Sequence, residues 1–116
     1  MDDAHAERRR LADALTSDGF TVLEAADGEA ALSYARRLRP DVIVTEVALP
    51  RLDAVGLLQA LAVERIDTRL LVHTRQTDGE LHAWLLELGA EEVMSRTVDA
   101  RVLGARLRAR AAVSAA

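Results

Sequence analysis

Neither cysteine nor lysine occurs in this chain of 116 residues, and the two absences exclude different chemistry. Without cysteine there are no disulfides, no thiolate metal sites and no thiol nucleophile, which fits a cytoplasmic protein. Without lysine, all 15 basic residues are arginine, so no side-chain amine exists for Schiff-base chemistry or a lysine switch. That bias, with abundant alanine, points to a GC-rich genome. Half of the residues are hydrophobic, yet no apolar run approaches the length of a membrane span. The polar, charged amino terminus carries no secretory signal. The net charge is −4, so no overall basic field draws in nucleic acid, and direct nucleic-acid binding is not expected.

What is present is an alternation of helix and strand patterns, read as one domain over residues 1–116 with a single core. Leu11 and Leu15 mark a helix from Ala4 to about Ser17, ended by Asp18-Gly19. Phe20 to Ala25 reads as a strand, and Asp27-Gly28 opens a helix from Glu29 to Leu38 that must stop before Pro40. Val42 to Val47 is a continuous apolar strand, the pattern of a strand covered on both faces. A helix from about Val55 to Glu64 turns Leu57, Leu58 and Leu61 inward, and Arg69 to Thr74 is the next strand. Asp78-Gly79 starts a helix carrying Leu81, Trp84, Leu85 and Leu88 on one stripe, closed by Gly89. Glu92 to Ser95 is a short last strand. Asp99 caps a final helix through Arg110, and Ala111 to Ala116 is expected to fray. Strands and helices alternating in this way imply a parallel sheet with right-handed crossovers and helices on both faces.

In such a sheet ligands collect at the carboxyl ends of strands, which places Glu46, at the end of an apolar run and before Pro50, where chemistry is expected. The segment Asp41-Val-Ile-Val-Thr-Glu46-Val-Ala-Leu-Pro50-Arg-Leu-Asp53 is similar to the phosphoacceptor strand and loop of bacterial response-regulator receiver domains. There the acceptor is aspartate, and a glycine stands where this chain has Ala54. The resemblance runs from the acidic pair Asp2-Asp3 to the closing amphipathic helix. Between them lie G-F-T-V, A-D-G-E-A-A-L, R-P-D-V-I-V, A-L-P-R-L-D, L-L-V-H-T and L-G-A-E-E-V. Each fragment is weak alone, and the order and spacing carry the likeness. It implies a flavodoxin-like, doubly wound α/β fold. Receivers begin with an apolar strand that runs into the acidic pair and lies centrally, in the order 2-1-3-4-5. Here only Met1 precedes Asp2, so that first strand is missing. Three outcomes stay open: a shortened chain, a sheet closed with four strands, or an edge supplied by a partner.

The resemblance also assigns site positions. Asp2, Asp3 and Glu46 match the carboxylates that hold magnesium, which neutralises phosphoryl oxygens, although Asp3 serves equally well as a helix cap. Glu46 stands at the acceptor place with one extra methylene, moving its oxygens by about 1.5 Å. A misplacement on the order of 1 Å costs about a hundredfold in rate. The longer side chain also carries negative charge toward the phosphoryl position, so Glu46 resembles the phosphorylated state. The plainer reading is a strand-end glutamate satisfied by backbone and arginine. Thr74 matches the hydroxyl residue that donates to a phosphoryl oxygen, though alone it reads as strand packing. Arg96 stands where the family has a lysine and could pair bidentately with Glu46. Thr97 replaces a proline, usually cis, so a trans, differently shaped loop is expected. The output-face aromatic falls on Val93.

His73 and His82 lack a third ligand at metal spacing and read as structural or surface residues. Trp84 reads as core, though if partly exposed it would suit an interface. Arg101, Arg106, Arg108 and Arg110 read as a solvated helix end. The favoured reading is a non-enzymatic, stand-alone, receiver-like module of a two-component phosphorelay, a pseudo-receiver that signals without phosphorylation. Its partners would be a histidine kinase or a downstream signalling protein, and it would form a homodimer. The alternative is an active, magnesium-dependent phosphoacceptor. A metal-dependent phosphatase comes third, because no nucleophile or general base stands out.

Overall fold

The computed structural model describes residues 4–95 and 99–115, with side chains described through Arg110. Their order is α1 (Ala4–Ser17), β1 (Val22–Glu24), α2 (Gly28–Leu38), β2 (Val42–Thr45), α3 (Ala54–Val63), β3 (Arg69–His73), α4 (Gly79–Glu87), β4 (Glu92–Met94) and α5 (Ala100–Ala115). The strands are shorter than their apolar patterns suggest. The final helix is longer, its backbone staying helical through Ala115 where fraying was expected.

The sheet closes with four parallel strands in the order β1-β2-β3-β4. β1 pairs directly with β2, Val22 opposite Val42 and Glu24 opposite Val44, leaving no slot between them for a central strand. Of the three outcomes left open by the sequence, the described residues take the four-stranded one. The order then contains no reversal. Right-handed crossovers that always step in one direction put their helices on one face. Accordingly α2, α3 and α4 share a core with Ile43, Leu70 and Val72, through Leu32, Leu57, Leu61 and Leu85. The opposite face is covered by α1 and α5, whose Leu11, Leu15, Leu103 and Leu107 pack on Val42, Val44, Leu71 and Met94. All four residues of β2 are buried, as their apolar run predicts for a strand sandwiched by helices.

Trp84 corrects the core reading. Leu85 is the buried member of the α4 stripe, whereas Trp84 lies on its rim and is 48% exposed. The loop after β2 is tied down from several sides. Asp53 caps α3 by accepting from Gly56 N at 2.9 Å, and Ala54 N donates to Val47 O at 3.0 Å. Arg51, in the left-handed region at φ 70°, pairs with Asp27, the cap of α2. Gly28 N donates to Pro50 O, and a Cβ at Gly28 would lie 1.6 Å from Leu52 O.

No side chain fits at that approach without moving the loop that follows Glu46. Gly28→Ala is therefore expected to destabilise the protein by about 1–3 kcal/mol, as overpacking does. Urea unfolding checks this, and a midpoint equal to that of the unsubstituted protein would contradict the close approach.

Candidate functional site at the carboxyl edge of the sheet

β1 and β3 end in Glu24 and His73, Glu46 directly follows β2, and the first half of α1 meets all three residues. Glu24 is met by Arg9 Nε at 2.9 Å and by His5 Nδ1 at 3.5 Å. Glu46 Oε1 accepts from the backbone amide of Val47 at 2.7 Å, while Oε2 faces Arg8 Nη1 at 3.5 Å. Arg8 Nη1 also donates to the carbonyl of His73 at 3.3 Å. Glu7 approaches His73 Nε2 at 3.0 Å and Arg75 Nη2 at 3.6 Å. A cleft of about 340 Å³ opens here, lined by His5, Arg8, Arg9, Glu24, Glu46 and Pro50 among others. A larger one, about 580 Å³, lies at the opposite edge, where Asp18, Asp41 and Asp67 balance Arg39, Arg69 and Arg108. That balance gives the larger cleft no preference for ligand charge.

Among the described residues His73 is the most enclosed ionisable group, with a side chain 1% exposed. Its contact with Glu7 is close but poorly aligned, and neither ring nitrogen makes a hydrogen bond among the described residues. Burial, the largest cause, holds its pKa below the ordinary 6.5; the Glu7 carboxylate opposes that shift, the Arg8 guanidinium reinforces it, and Glu46 opposes it. Desolvation outweighs the neighbouring carboxylates, so the ring is neutral at neutral pH.

The positions expected from sequence are only partly brought together. Glu46 stands at the carboxyl edge as expected. Thr74 is fully buried at the end of the neighbouring strand, with Oγ1 accepting from Gln76 N at 3.2 Å. Asp2, Asp3, Arg96 and Thr97 lie outside the described residues. His82 is a surface-side residue, its Nε2 2.6 Å from Gln76 O. Arg106, Arg108 and Arg110 are engaged by Glu92, Asp18 and Glu91, in keeping with a solvated, ion-paired helix end.

Sequence reasoning missed Glu7 and Arg8 and the burial of His73. A signal was there: Ala4, Leu11 and Leu15 form the buried stripe of α1, and Arg8 sits on that stripe. An arginine on an apolar stripe at the carboxyl edge needs an acidic partner.

Magnesium demands several oxygen ligands at about 2.0–2.1 Å. Among the described residues no group of three acidic, histidine or cysteine side chains is placed to hold a metal. Glu46 itself has one oxygen on a backbone amide and the other facing a guanidinium. The described residues do not fit a divalent cation at Glu46.

Residues 1–108 match the family model described as the response regulator receiver domain. The chain is 35% identical over 108 residues to a probable transcriptional regulator, ycf27, of Porphyridium aerugineum, covering 93% of this chain and 45% of that protein. It is 34% identical over 95 residues to the alkaline phosphatase synthesis transcriptional regulatory protein PhoP of Bacillus subtilis, covering 82% and 40%. The chain thus spans under half the length of these curated relatives. Among solved structures, the signal receiver domain of the response regulator NarL from Mycobacterium tuberculosis superposes with a TM-score of 0.75 at 24% identity, covering 95% of this chain and 90% of that one. The FixJ-N crystal structure gives 0.69 at 29% identity, covering 96% and 88%.

His73 yields a pH signature. Its proton is held more weakly in the folded chain than in the unfolded one, so its stability contribution is intact above about pH 6.5 and is lost as pH falls from there through the lower folded value. Urea midpoints measured from about pH 7 to about pH 5 should fall. His73→Gln should flatten that slope, and an unchanged slope would remove His73 from the account.

Proposed function

Because the chain belongs to the response regulator receiver domain family, we propose that it acts as a pseudo-receiver. It is a non-enzymatic, cytoplasmic signalling module of a two-component system whose output does not require phosphorylation. One observation carries the reading. The carboxylate at the acceptor position is already satisfied, Oε1 by the Val47 amide and Oε2 by Arg8. An acceptor oxygen must attack phosphorus as a nucleophile, and both oxygens of Glu46 already share their charge with a donor, Oε1 with the Val47 amide and Oε2 with the Arg8 guanidinium 3.5 Å away, which weakens that attack. The extra methylene of glutamate makes both contacts reachable, and it displaces the carboxylate from where an aspartate would present it.

Output then passes through protein contacts, with a histidine kinase or a downstream signalling protein as partner. The net charge of −4 supports protein contacts over direct contact with nucleic acid. No described helix is long and apolar enough to cross a membrane. β4 is an edge strand, and the helices flanking it expose Trp84, Leu86 and Val102. That edge suits self-association.

The decisive experiment is mass spectrometry after incubation with magnesium and acetyl phosphate. The protein is expected to gain no increment of about 80 Da, the mass of one phosphoryl group. Glu46→Asp alone is expected to gain none either, because Arg8 and Arg96 remain. Uptake of one phosphoryl group at Glu46 in the unsubstituted protein would overturn the proposal in favour of an active phosphoacceptor.

Light scattering at micromolar concentration should give the mass of a homodimer. Truncating an interface tryptophan costs about 2 kcal/mol, or roughly thirtyfold in affinity, so Trp84→Ala should shift the mass toward the monomer. A monomeric mass for the unsubstituted protein across that range would refute self-association.

A further inference from the structure

Arg8 occupies a place that the pattern of its helix reserves for an apolar side chain. Ala4, Leu11 and Leu15 are buried on the same stripe, and the Arg8 side chain is itself only 13% exposed. One guanidinium nitrogen serves two strand ends, lying 3.5 Å from Glu46 Oε2 and 3.3 Å from the His73 carbonyl oxygen. The surrounding charges pair off as well, Arg9 with Glu24 and Arg75 with Glu7. Three carboxylates (Glu7, Glu24, Glu46) thus face three guanidiniums (Arg8, Arg9, Arg75), and with His73 neutral these side chains balance without an ion.

We propose that Arg8 is the resident cation of this edge. It takes the electrostatic place of a divalent metal, so that Glu46 is compensated by the protein and magnesium does not bind there. This deepens the phosphate-independent reading by naming what holds Glu46 in its state. An incoming metal would have to reach Oε2, the oxygen that faces the guanidinium, since Oε1 is held by the Val47 amide. A guanidinium does not yield to a metal by losing its proton. Arg8 can leave only by moving out of a position where its stem lies on the packed stripe of α1 and its head bridges β2 to β3. The cation is built into the fold.

The test is a comparison of magnesium chloride with sodium chloride at matched ionic strength, read at the Val47 amide in nitrogen–proton correlation spectra. A second reading uses manganese, whose paramagnetism broadens nearby signals. The unsubstituted protein should respond equally to the two salts and show no saturable broadening at Val47. Arg8→Met keeps the length and apolar stem but removes the charge, and should gain saturable, magnesium-competed broadening there. Arg8→Lys should remain insensitive to metal. A magnesium-specific shift of Val47 in the unsubstituted protein overturns the proposal, and so does an Arg8→Met protein that stays as insensitive as its parent. If Arg8→Met does not fold, the salt comparison on the unsubstituted protein decides alone, equal responses supporting the resident cation. Metal binding without phosphoryl uptake would remove the role of Arg8 while leaving the phosphate-independent reading in place. Phosphoryl uptake would remove that reading.

Discussion

The pairing of α1 with three strand ends is the constraint on which the carboxyl edge depends, and Arg8 is its centre. An arginine shielded from solvent cannot be left without partners, because desolvating an unpaired charge costs more than any packing it gains. Glu46 Oε2 and the His73 carbonyl supply those partners from two adjacent strands. The outer pairs, Arg9 with Glu24 and Arg75 with Glu7, involve arginines more than half exposed and contribute about 0–1 kcal/mol each. The inner pair lies nearer the buried case, in which removing one partner costs more than the pair contributes because the other charge is stranded. The position of α1 along the sheet is therefore fixed by charge at its amino-terminal half and by Leu11 and Leu15 at its other half.

The same docking follows from the topology. A doubly wound sheet covers both faces by reversing its strand order, and the crevice at the reversal is where ligands settle. Here the order β1-β2-β3-β4 does not reverse. All three internal crossover helices fall on one face, and the other face is left to α1 and α5. What replaces the crevice is the junction where α1 crosses β1, β2 and β3. The residues that meet there are side chains of a helix against strand ends, not loops around an open slot, and this explains why ion pairs fill it.

Much of the fold was legible because its signals are local. α1 ends at Ser17 as its pattern indicates, the Asp27 and Asp78 caps sit at helix starts, and Pro40 separates α2 from β2. Direct pairing of β1 with β2 was one of three alternatives, since pairing is a long-range choice that no single segment encodes. Trp84 was misread for a related reason: helical spacing identifies a stripe but not its rim, and α4 buries Leu85 while leaving the larger ring at the margin. At the site, Glu46 was identifiable from its place after an apolar strand. Its partner was sought downstream at Arg96, in the manner of the family, whereas the described partner is Arg8, 38 positions earlier in the chain. His73 was read by motif spacing, which has nothing to say about a buried histidine beneath a helix.

Glu46 and Arg8 are best understood as one feature. The glutamate side chain is long enough to turn one oxygen back to the next backbone amide, at 2.7 Å, while the other extends to the guanidinium. An aspartate at the same backbone position is shorter by about 1.5 Å, so it cannot make both contacts without movement of the strand end or of α1. Losing the contact to Arg8 would leave a shielded guanidinium facing only a carbonyl oxygen, a neutral partner for a full charge. The arginine therefore favours the longer acid, and the longer acid favours a cation supplied by the protein. Substituting either residue alone strands the charge of the other, because each faces the other across the strand end. Glu46 and the arginine on the buried stripe of α1 form a single electrostatic unit, and it is this unit on which the proposed pseudo-receiver reading rests.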